Sequence, residues 1–171
     1  MAAKLGCPRV LALEPNSNNF LQLQKNLSLN DLGESVESHR VAVGAESKTV
    51  SIITPGGRPT SSGSQISNSP TGRDLKSWEI ESEVGMVTLD SLLVDEAARI
   101  SVIKIDAEGY ELCILQGANR TLSSHAPSIL IELLNEEKKS EADNFLKKFG
   151  YSQGSPIERS DACTNFFYQR S

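Results

Sequence analysis

The stretch that decides the fold is ISVIKIDAEGYE, residues 100–111. Its apolar run, 100–105, predicts a buried strand, residues 106–109 predict a sharp turn, and residues 110–122 predict a helix. Pro127 then breaks the chain before a second apolar run, 128–134, which predicts another buried strand. A strand, a helix and a second strand in this order are typical of a βαβ unit, whose strands are parallel. The stretch therefore indicates an α/β fold.

The same alternation extends to both sides of this stretch. Residues 9–14 (RVLALE) predict a strand buried on both faces, and residues 20–29 predict an amphipathic helix capped by Ser17 or Asn18. Residues 1–6 predict the last turn of a helix with a glycine stop. The remaining predicted elements are strands at 36–43, 48–54 and 84–88, helices at 89–98 and 136–149, and an antiparallel strand pair at 151–153 and 165–170. We expect one domain over residues 1–171, with a mostly parallel sheet and a C-terminal antiparallel pair.

Residues 55–72 (PGGRPTSSGSQISNSPTG) differ from the rest in being rich in Gly, Pro, Ser and Thr. Such a segment buries little apolar surface, so we expect a flexible loop that interrupts the domain.

Composition excludes several classes of protein. The formal net charge is -5, and Lys138, Lys139, Lys147 and Lys148 lie among acids, so no basic patch predicts a nucleic-acid partner. No apolar run is long enough for a membrane segment, and no targeting segment is recognisable, so a cytoplasmic protein is the default expectation. The three cysteines and two histidines have no metal-ligand spacing, so we expect no metal site.

Three acids follow or end apolar strands: Glu14, Asp106 and Glu132. In an open parallel sheet, ligands bind beyond the carboxyl ends of the strands. An acid in the position of Glu14 accepts hydrogen bonds from the hydroxyls of a ribose, and the alternative is a turn acid that precedes the helix.

The block 104–111 contains a second set of candidates. Alternation along the strand places Lys104 and Asp106 on one face, and Glu108 and Glu111 follow within the turn and the helix start. A carboxylate here suits a base for a hydroxyl proton or a group that orients the substrate. The alternative is that Asp106 caps the helix and Glu111 stabilises its first turn.

Seven blocks in this order resemble the FkbM family of methyltransferases, from residue 1 to about residue 150. The blocks are Leu13-Glu-Pro-Asn16, Asn26-Leu-Ser-Leu-Asn30, Val41-Ala-Val-Gly44, Val87-Thr-Leu-Asp90, Lys104-Ile-Asp-Ala-Glu-Gly-Tyr-Glu111, Leu115-Gln-Gly-Ala118 and Ile131-Glu132. The most specific are KIDAEGYE with the following LQGA, and the upstream TLD.

The resemblance implies a Rossmann-like class I methyltransferase fold with S-adenosylmethionine as methyl donor. The implied reaction is methyl transfer to a hydroxyl oxygen of a sugar or other small molecule. By resemblance, the cofactor-binding residues are Glu14 at the ribose and Arg40, Ala42 and Val43 at the adenine, and the catalytic candidates are Asp106 and Glu108, with Lys104 of the same block. From the resemblance we expect an Asn-like residue at position 40. Arg40 therefore departs from the pattern of the family.

A second departure concerns the beginning of the chain. Domains of this family open with a strand and a glycine-rich loop, and no G-x-G precedes Glu14 here. We therefore expect the first strand and glycine loop to be missing from this chain. The alternative function is a catalytically inactive methyltransferase-like module for binding or regulation. A nucleotide-dependent oxidoreductase is a third interpretation, against which the KIDAEGYE block speaks.

Overall fold

The computed structural model describes residues 2–55, 63–67, 78–94, 99–159 and 163–170. These residues form two compact units. The first comprises the described residues within 2–42, 48–67 and 78–86, and the second comprises those within 43–47 and 87–170.

The first unit opens with a turn of 3-10 helix, Ala3–Leu5, which ends at Gly6 with a φ of 89° and so confirms the predicted glycine stop. Strand β1 (Val10–Leu13) runs parallel to β2 (Val36–His39), and helix α1 (Ser17–Leu29) connects them. The predicted cap of α1 was wrong by one residue. Asn16 caps this helix, because its Oδ1 accepts the Asn19 N–H at 2.9 Å.

Burial in this part of the first unit is lower than predicted. All four residues of β1 are half-buried, and no residue of α1 is buried. Leu21 and Leu29 of the helix are 64% and 71% exposed. Among the described strands β1 pairs only with β2, so the prediction of a strand buried on both faces was wrong for these residues.

A four-stranded sheet follows, in the order β3-β6-β4-β5. Its strands are β3 (Ala42–Val43), β4 (Lys48–Pro55), β5 (Gln65–Ile66) and β6 (Trp78–Val87). Strand β4 is antiparallel to both β5 and β6, and its buried residues Val50, Ile52 and Ile53 provide the core of this sheet.

Three predictions are corrected here. The predicted strand 36–43 is interrupted at residues 40 and 41, and its halves β2 and β3 belong to different sheets. The predicted strand 84–88 begins earlier, at Trp78. Within the predicted loop 55–72, residues 65 and 66 form the strand β5, because they pair with Ile53 and Ile52 of β4. Gln65 of this strand is buried. Residues 56–62 and 68–72 of that predicted loop lie outside the described residues.

The second unit contains the βαβ unit that the sequence predicted. Its elements are α2 (Leu89–Leu92), β7 (Val102–Ile105), α3 (Glu111–Gln116), α4 (Asn119–His125), β8 (Ser128–Leu133), α5 (Glu136–Lys147), β9 (Ser155–Arg159) and β10 (Thr164–Tyr168). The sheet order is β7-β8-β10-β9, in which β7 and β8 are parallel and the other pairs are antiparallel.

The α/β class is confirmed, and the predicted mostly parallel sheet is confirmed only in part, because the sheets are mixed. Among the described strands, the parallel pairs are β1–β2 and β7–β8, and the sheets are mixed or antiparallel elsewhere. The C-terminal antiparallel pair is confirmed with shifted bounds. The predicted strand 151–153 retains only an isolated bridge between Tyr151 and Arg170, and the strands themselves are β9 and β10.

Burial in the second unit follows the two-residue period of a strand. Ile129, Ile131 and Leu133 of β8 are at most 3% exposed, and the residues between them are half-buried. Leu146 of α5 and Tyr168 of β10 are fully buried as well. The predicted buried strand 128–134 is therefore confirmed, with its burial greatest on one face.

The predicted helix 110–122 is two helices, α3 and α4, and Gly117 lies at the break. A Cβ at Gly117 would overlap the carbonyl oxygen of Gly44 and lie 3.3 Å from the Thr88 side chain. The Asp90 N–H donates to the Gly117 carbonyl at 3.0 Å. We call this contact of Gly44, Thr88, Asp90 and Gly117 the glycine junction. It requires a residue without a side chain at position 117.

The Asp90 side chain also caps the N-terminus of α4. Its carboxylate accepts the backbone N–H groups of Arg120 at 2.7 Å and Thr121 at 2.8 Å, together with the Thr121 hydroxyl at 2.8 Å. The residue at the helix's own cap position, Ala118, makes no side-chain hydrogen bond. Asp90 thus supplies the cap from a distant part of the sequence, which helix-cap patterns in the sequence do not reveal.

A half-buried carboxylate links α5 to the C-terminal strands. Asp143 accepts hydrogen bonds from Lys139 at 2.5 Å, the Tyr168 hydroxyl at 2.8 Å and the Gly154 N–H at 3.2 Å. Burial alone would raise the pKa of Asp143, but these hydrogen bonds and the Lys139 charge hold it below its ordinary value. Among the described residues, no helix is long and apolar enough to cross a membrane.

Candidate functional site

Glu14 follows the last residue of β1, at the carboxyl end of a parallel strand pair. Its Oε1 accepts the backbone N–H of Asn16 at 2.9 Å, and the Asn19 side chain is a second hydrogen-bond partner. A carboxylate accepts about four hydrogen bonds. Glu14 therefore acts as a turn acid, the alternative that the sequence left open, and retains capacity for further donors such as hydroxyl groups.

The turn that carries Glu14 is fixed by Asn16, which is 1% exposed. Besides capping α1, Asn16 donates from Nδ2 to the Ser64 hydroxyl at 3.0 Å. Glu14 itself is half-buried, and burial is the largest of the effects that raise its pKa, while the hydrogen bonds from Asn16 and Asn19 oppose this rise. The carboxylate thus lies partly desolvated, where a hydrogen bond from a ligand hydroxyl is stronger than it would be in water.

Arg40 and Glu14 both interact electrostatically with Glu81. The Arg40 guanidinium donates to the Ser82 hydroxyl at 2.9 Å and to the Glu83 carbonyl at 3.3 Å. Burial tends to raise the pKa of Glu81, but hydrogen bonds from Ser17 and Ser82 and the charge of Arg40 lower it. Because the Glu81 charge also raises the pKa of Glu14, the structure places Glu14 and Arg40 around one shared neighbour.

The other two predicted adenine contacts differ in accessibility. Ala42 is 2% exposed and belongs to the core, whereas Val43 is half-buried. A ligand reaches Val43 more readily than the methyl group of Ala42. These assignments rest on the resemblance and remain predictions.

The second candidate region is the turn Asp106–Tyr110, which directly follows β7 in the second unit. The Tyr110 N–H donates to the Ala107 carbonyl at 3.1 Å. Glu108 and Gly109 have φ angles of 50° and 98°. The predicted sharp turn is confirmed, and its left-handed residues include one, Glu108, that bears a side chain.

Lys104 and Asp106 are brought together as predicted. Their side chains form an ion pair with an Nζ–Oδ2 distance of 2.7 Å, and about half of each side chain is exposed. The alternative role for Asp106, a helix cap, is contradicted. Tyr110 occupies the cap position of α3, and no side-chain cap hydrogen bond is made there.

Glu111, which the sequence treated only as an alternative helix-start acid, is the buried member of this region. It is 3% exposed, and its Oε1 accepts the N–H groups of Gly109 at 2.9 Å and Ala107 at 3.1 Å. The sequence signal for this role is weak, since acids at helix starts are common. Glu132 is half-buried in β8, opposite Asn165 of β10.

The predicted site residues therefore form two groups, each defined within its own unit. Glu14 and Arg40 share Glu81 in the first unit, and Lys104, Asp106 and Glu108 occupy one strand end and its turn in the second. Among the described residues, no cluster of three or more His, Cys, Asp or Glu side chains has the arrangement of a metal site.

A family model described as "Methyltransferase FkbM domain" matches residues 1–152. No curated protein matches the chain. A crystal structure of the methyltransferase FkbM from Methylobacillus flagellatus KT matches with a TM-score of 0.61 and 19% identity over 93% of this chain. The match spans 36% of that protein's length, so this chain corresponds to about a third of it. Because the family model covers most of its length, the chain belongs to the FkbM family of methyltransferases.

Proposed function

We propose that this chain takes part in methyl transfer from S-adenosylmethionine to a hydroxyl oxygen of a sugar or other small molecule. The observation that carries the proposal is the family match over residues 1–152, which contains both groups of candidate residues. The placement of Glu14 and Asp106 at the carboxyl ends of parallel strands supports it, because this is where α/β proteins bind nucleotide-like ligands.

The residues of the first unit fit the nucleoside part of the methyl donor. Glu14 has acceptor capacity for the two hydroxyl groups of a ribose, and Asn16 and Asn19 hold its carboxylate in place. Arg40 is the accessible candidate of this unit beside the adenine. S-adenosylmethionine, when bound, supplies an electrophilic methyl group.

The residues of the second unit fit the acceptor. A hydroxyl oxygen becomes a better nucleophile when a carboxylate accepts its proton, and Asp106 and Glu108 are the carboxylates of this turn. The Lys104 ammonium orients the Asp106 carboxylate through their ion pair. Lys104 and Asp106 are accessible to a small molecule, since each keeps about half of its side-chain surface exposed.

The test is calorimetric titration of S-adenosylmethionine into the wild-type chain and into Glu14→Ala. We expect the variant to bind more weakly than the wild type by about 1.5–3 kcal/mol, because charge-assisted hydrogen bonds to hydroxyls are lost. Glu34→Ala, which removes an exposed acid from the turn before β2, is the matched control. An unchanged Kd in Glu14→Ala would leave Glu14 with its role in the turn alone. A wild type without binding would favour the inactive module.

A further inference from the structure

A buried acid next to the Asp106–Tyr110 turn has no role in the proposed reaction. Glu111 is 3% exposed, although its neighbours Lys104 and Asp106 are half exposed. Burying a carboxylate is unfavourable unless hydrogen bonds compensate, and burial indeed raises the pKa of Glu111. The backbone N–H groups of Gly109, Glu111 and Ala107 oppose this rise. A residue placed at such a cost requires an explanation beyond helix propensity.

The geometry of its hydrogen bonds supplies the explanation. A single oxygen, Oε1, accepts the N–H of Ala107 at 3.1 Å and that of Gly109 at 2.9 Å. These two amides stand on either side of Glu108, whose φ of 50° is unfavourable for a residue with a side chain. The carboxylate therefore holds the 108–109 peptide group, which directly follows the strained residue, and the 106–107 peptide group at the start of the turn.

A general preference for acids at helix starts does not account for these contacts. The amides of Ala107 and Gly109 precede the first residue of α3, and this helix has only six residues. An acid that merely complements the helix dipole needs neither burial nor two hydrogen bonds to one oxygen.

We propose that Glu111 is a positioning residue, whose carboxylate fixes the Asp106–Tyr110 turn in the conformation that presents Asp106 and Glu108 to the acceptor. The catalytic part of this inference rests on the proposed function. The structural part stands on the two hydrogen bonds to Ala107 and Gly109.

Two variants separate an acceptor role from a charge role. Glu111→Gln loses the charge but keeps an oxygen at the same reach, so it can still accept from Ala107 and Gly109. Glu111→Asp keeps the charge but is one methylene shorter, so it cannot reach both amides. For a positioning role we expect Glu111→Gln to preserve the turn and Glu111→Asp to disrupt it. A charge role gives the reverse order.

The first readout is hydrogen exchange of the Ala107 and Gly109 amides, measured by NMR on the wild-type chain and both variants. We expect exchange at least about tenfold faster in Glu111→Asp and within about threefold of wild type in Glu111→Gln. Equal exchange in both variants and the wild type, or faster exchange only in Glu111→Gln, would overturn the proposal. Glu137→Asp and Glu137→Gln, at an exposed acid in the first turn of α5, are the matched controls.

The second readout is methyl transfer, measured as kcat and as KM for S-adenosylmethionine. We expect Glu111→Asp to lower kcat at least about tenfold with little change in this KM, because the turn acts on the acceptor. Leu146→Ala, which lowers stability from the core of α5, controls for a general loss of folding. Wild-type kcat in Glu111→Asp together with fast amide exchange would refute the positioning role. A wild type without transfer refutes the proposed function instead, and the exchange rates still decide whether Glu111 fixes the turn.

Discussion

The carboxylates at the strand ends have unequal surroundings. Asp106 is accessible and paired with Lys104, Glu14 is half-buried within a turn, and Glu111 is buried against two amides. Only an accessible carboxylate can take a proton from an incoming hydroxyl group. We therefore propose the accessible Asp106, with Glu108 of the same turn, for the acceptor chemistry, and a structural role for Glu111.

Shape-conserving substitutions test the first assignment. We expect Asp106→Asn and Glu108→Gln to keep the melting temperature and to lower kcat, because a general base contributes about 100- to 10,000-fold. Turnover and thermal unfolding measured on the same preparations distinguish chemistry from folding. Ser101→Ala, at an exposed position just before β7, is the control. Normal turnover in both variants would exclude these residues and leave Lys104 and Glu132 to be tested.

The sequence located these residues better than it located their contacts. The acids at 14 and 106 were recognisable because apolar strands end at them, and the pairing of Lys104 with Asp106 followed from strand alternation. The burial of Glu111 could not be recognised from the sequence, because its partners are backbone amides, which every residue except proline has. Glu81, which lies between Glu14 and Arg40, comes from a strand far along the chain and carries no local signal.

At the scale of elements, the glycine junction makes the sharpest prediction. We expect Gly117→Ala to lower the free energy of unfolding by about 1–3 kcal/mol, because the added methyl group overlaps the Gly44 carbonyl oxygen. Urea unfolding measures the change. Gly33→Ala is the matched control, since its Cβ would meet no atom within 4 Å. Equal stability of Gly117→Ala and wild type would show that the backbone at Gly44 can move to accommodate the methyl group without a loss of stability.

The errors in the predicted elements have a common physical origin. Local periodicity predicted that residues 110–122 are helical, but the close approach of Gly44 divides them into α3 and α4. The polar segment around Gln65 was predicted as a loop, yet pairing with β4 makes part of it a strand. In both cases a contact with a distant residue decides the structure, and a window of neighbouring residues does not contain it.

At the scale of the whole molecule, the acids have opposite effects on stability as the pH changes. The pKa of Asp143 lies below its ordinary value of 3.8, so its contribution is complete above that pH and is lost as the pH falls through the lower folded-state pKa. The pKa values of Glu14 and Glu111 are raised from 4.5, so ionising them costs stability as the pH rises above that value. The acid limb of the stability curve should therefore belong to groups such as Asp143.

We expect the free energy of unfolding to fall as the pH drops below 3.8, and the fall to be shallower in Asp143→Asn. Denaturant unfolding of both proteins at several pH values gives the two slopes. Asp31→Asn, at an exposed turn position, serves as the control. A variant slope equal to that of the wild type would show that the hydrogen bonds from Lys139, Tyr168 and Gly154 do not stabilise the ionised form.

The glycine junction bears on how members of the family should be interpreted across genomes. Three of the blocks that carry the resemblance meet there, through Gly44, Thr88, Asp90 and Gly117, and their contacts are steric and backbone contacts. Natural selection for a folded chain alone is enough to retain them. Under the proposed function, a descendant that abandoned its original chemistry would still carry this signature, while Asp106 and Glu108 would drift. Evolutionary inference of activity should therefore weigh the two acids above the glycines.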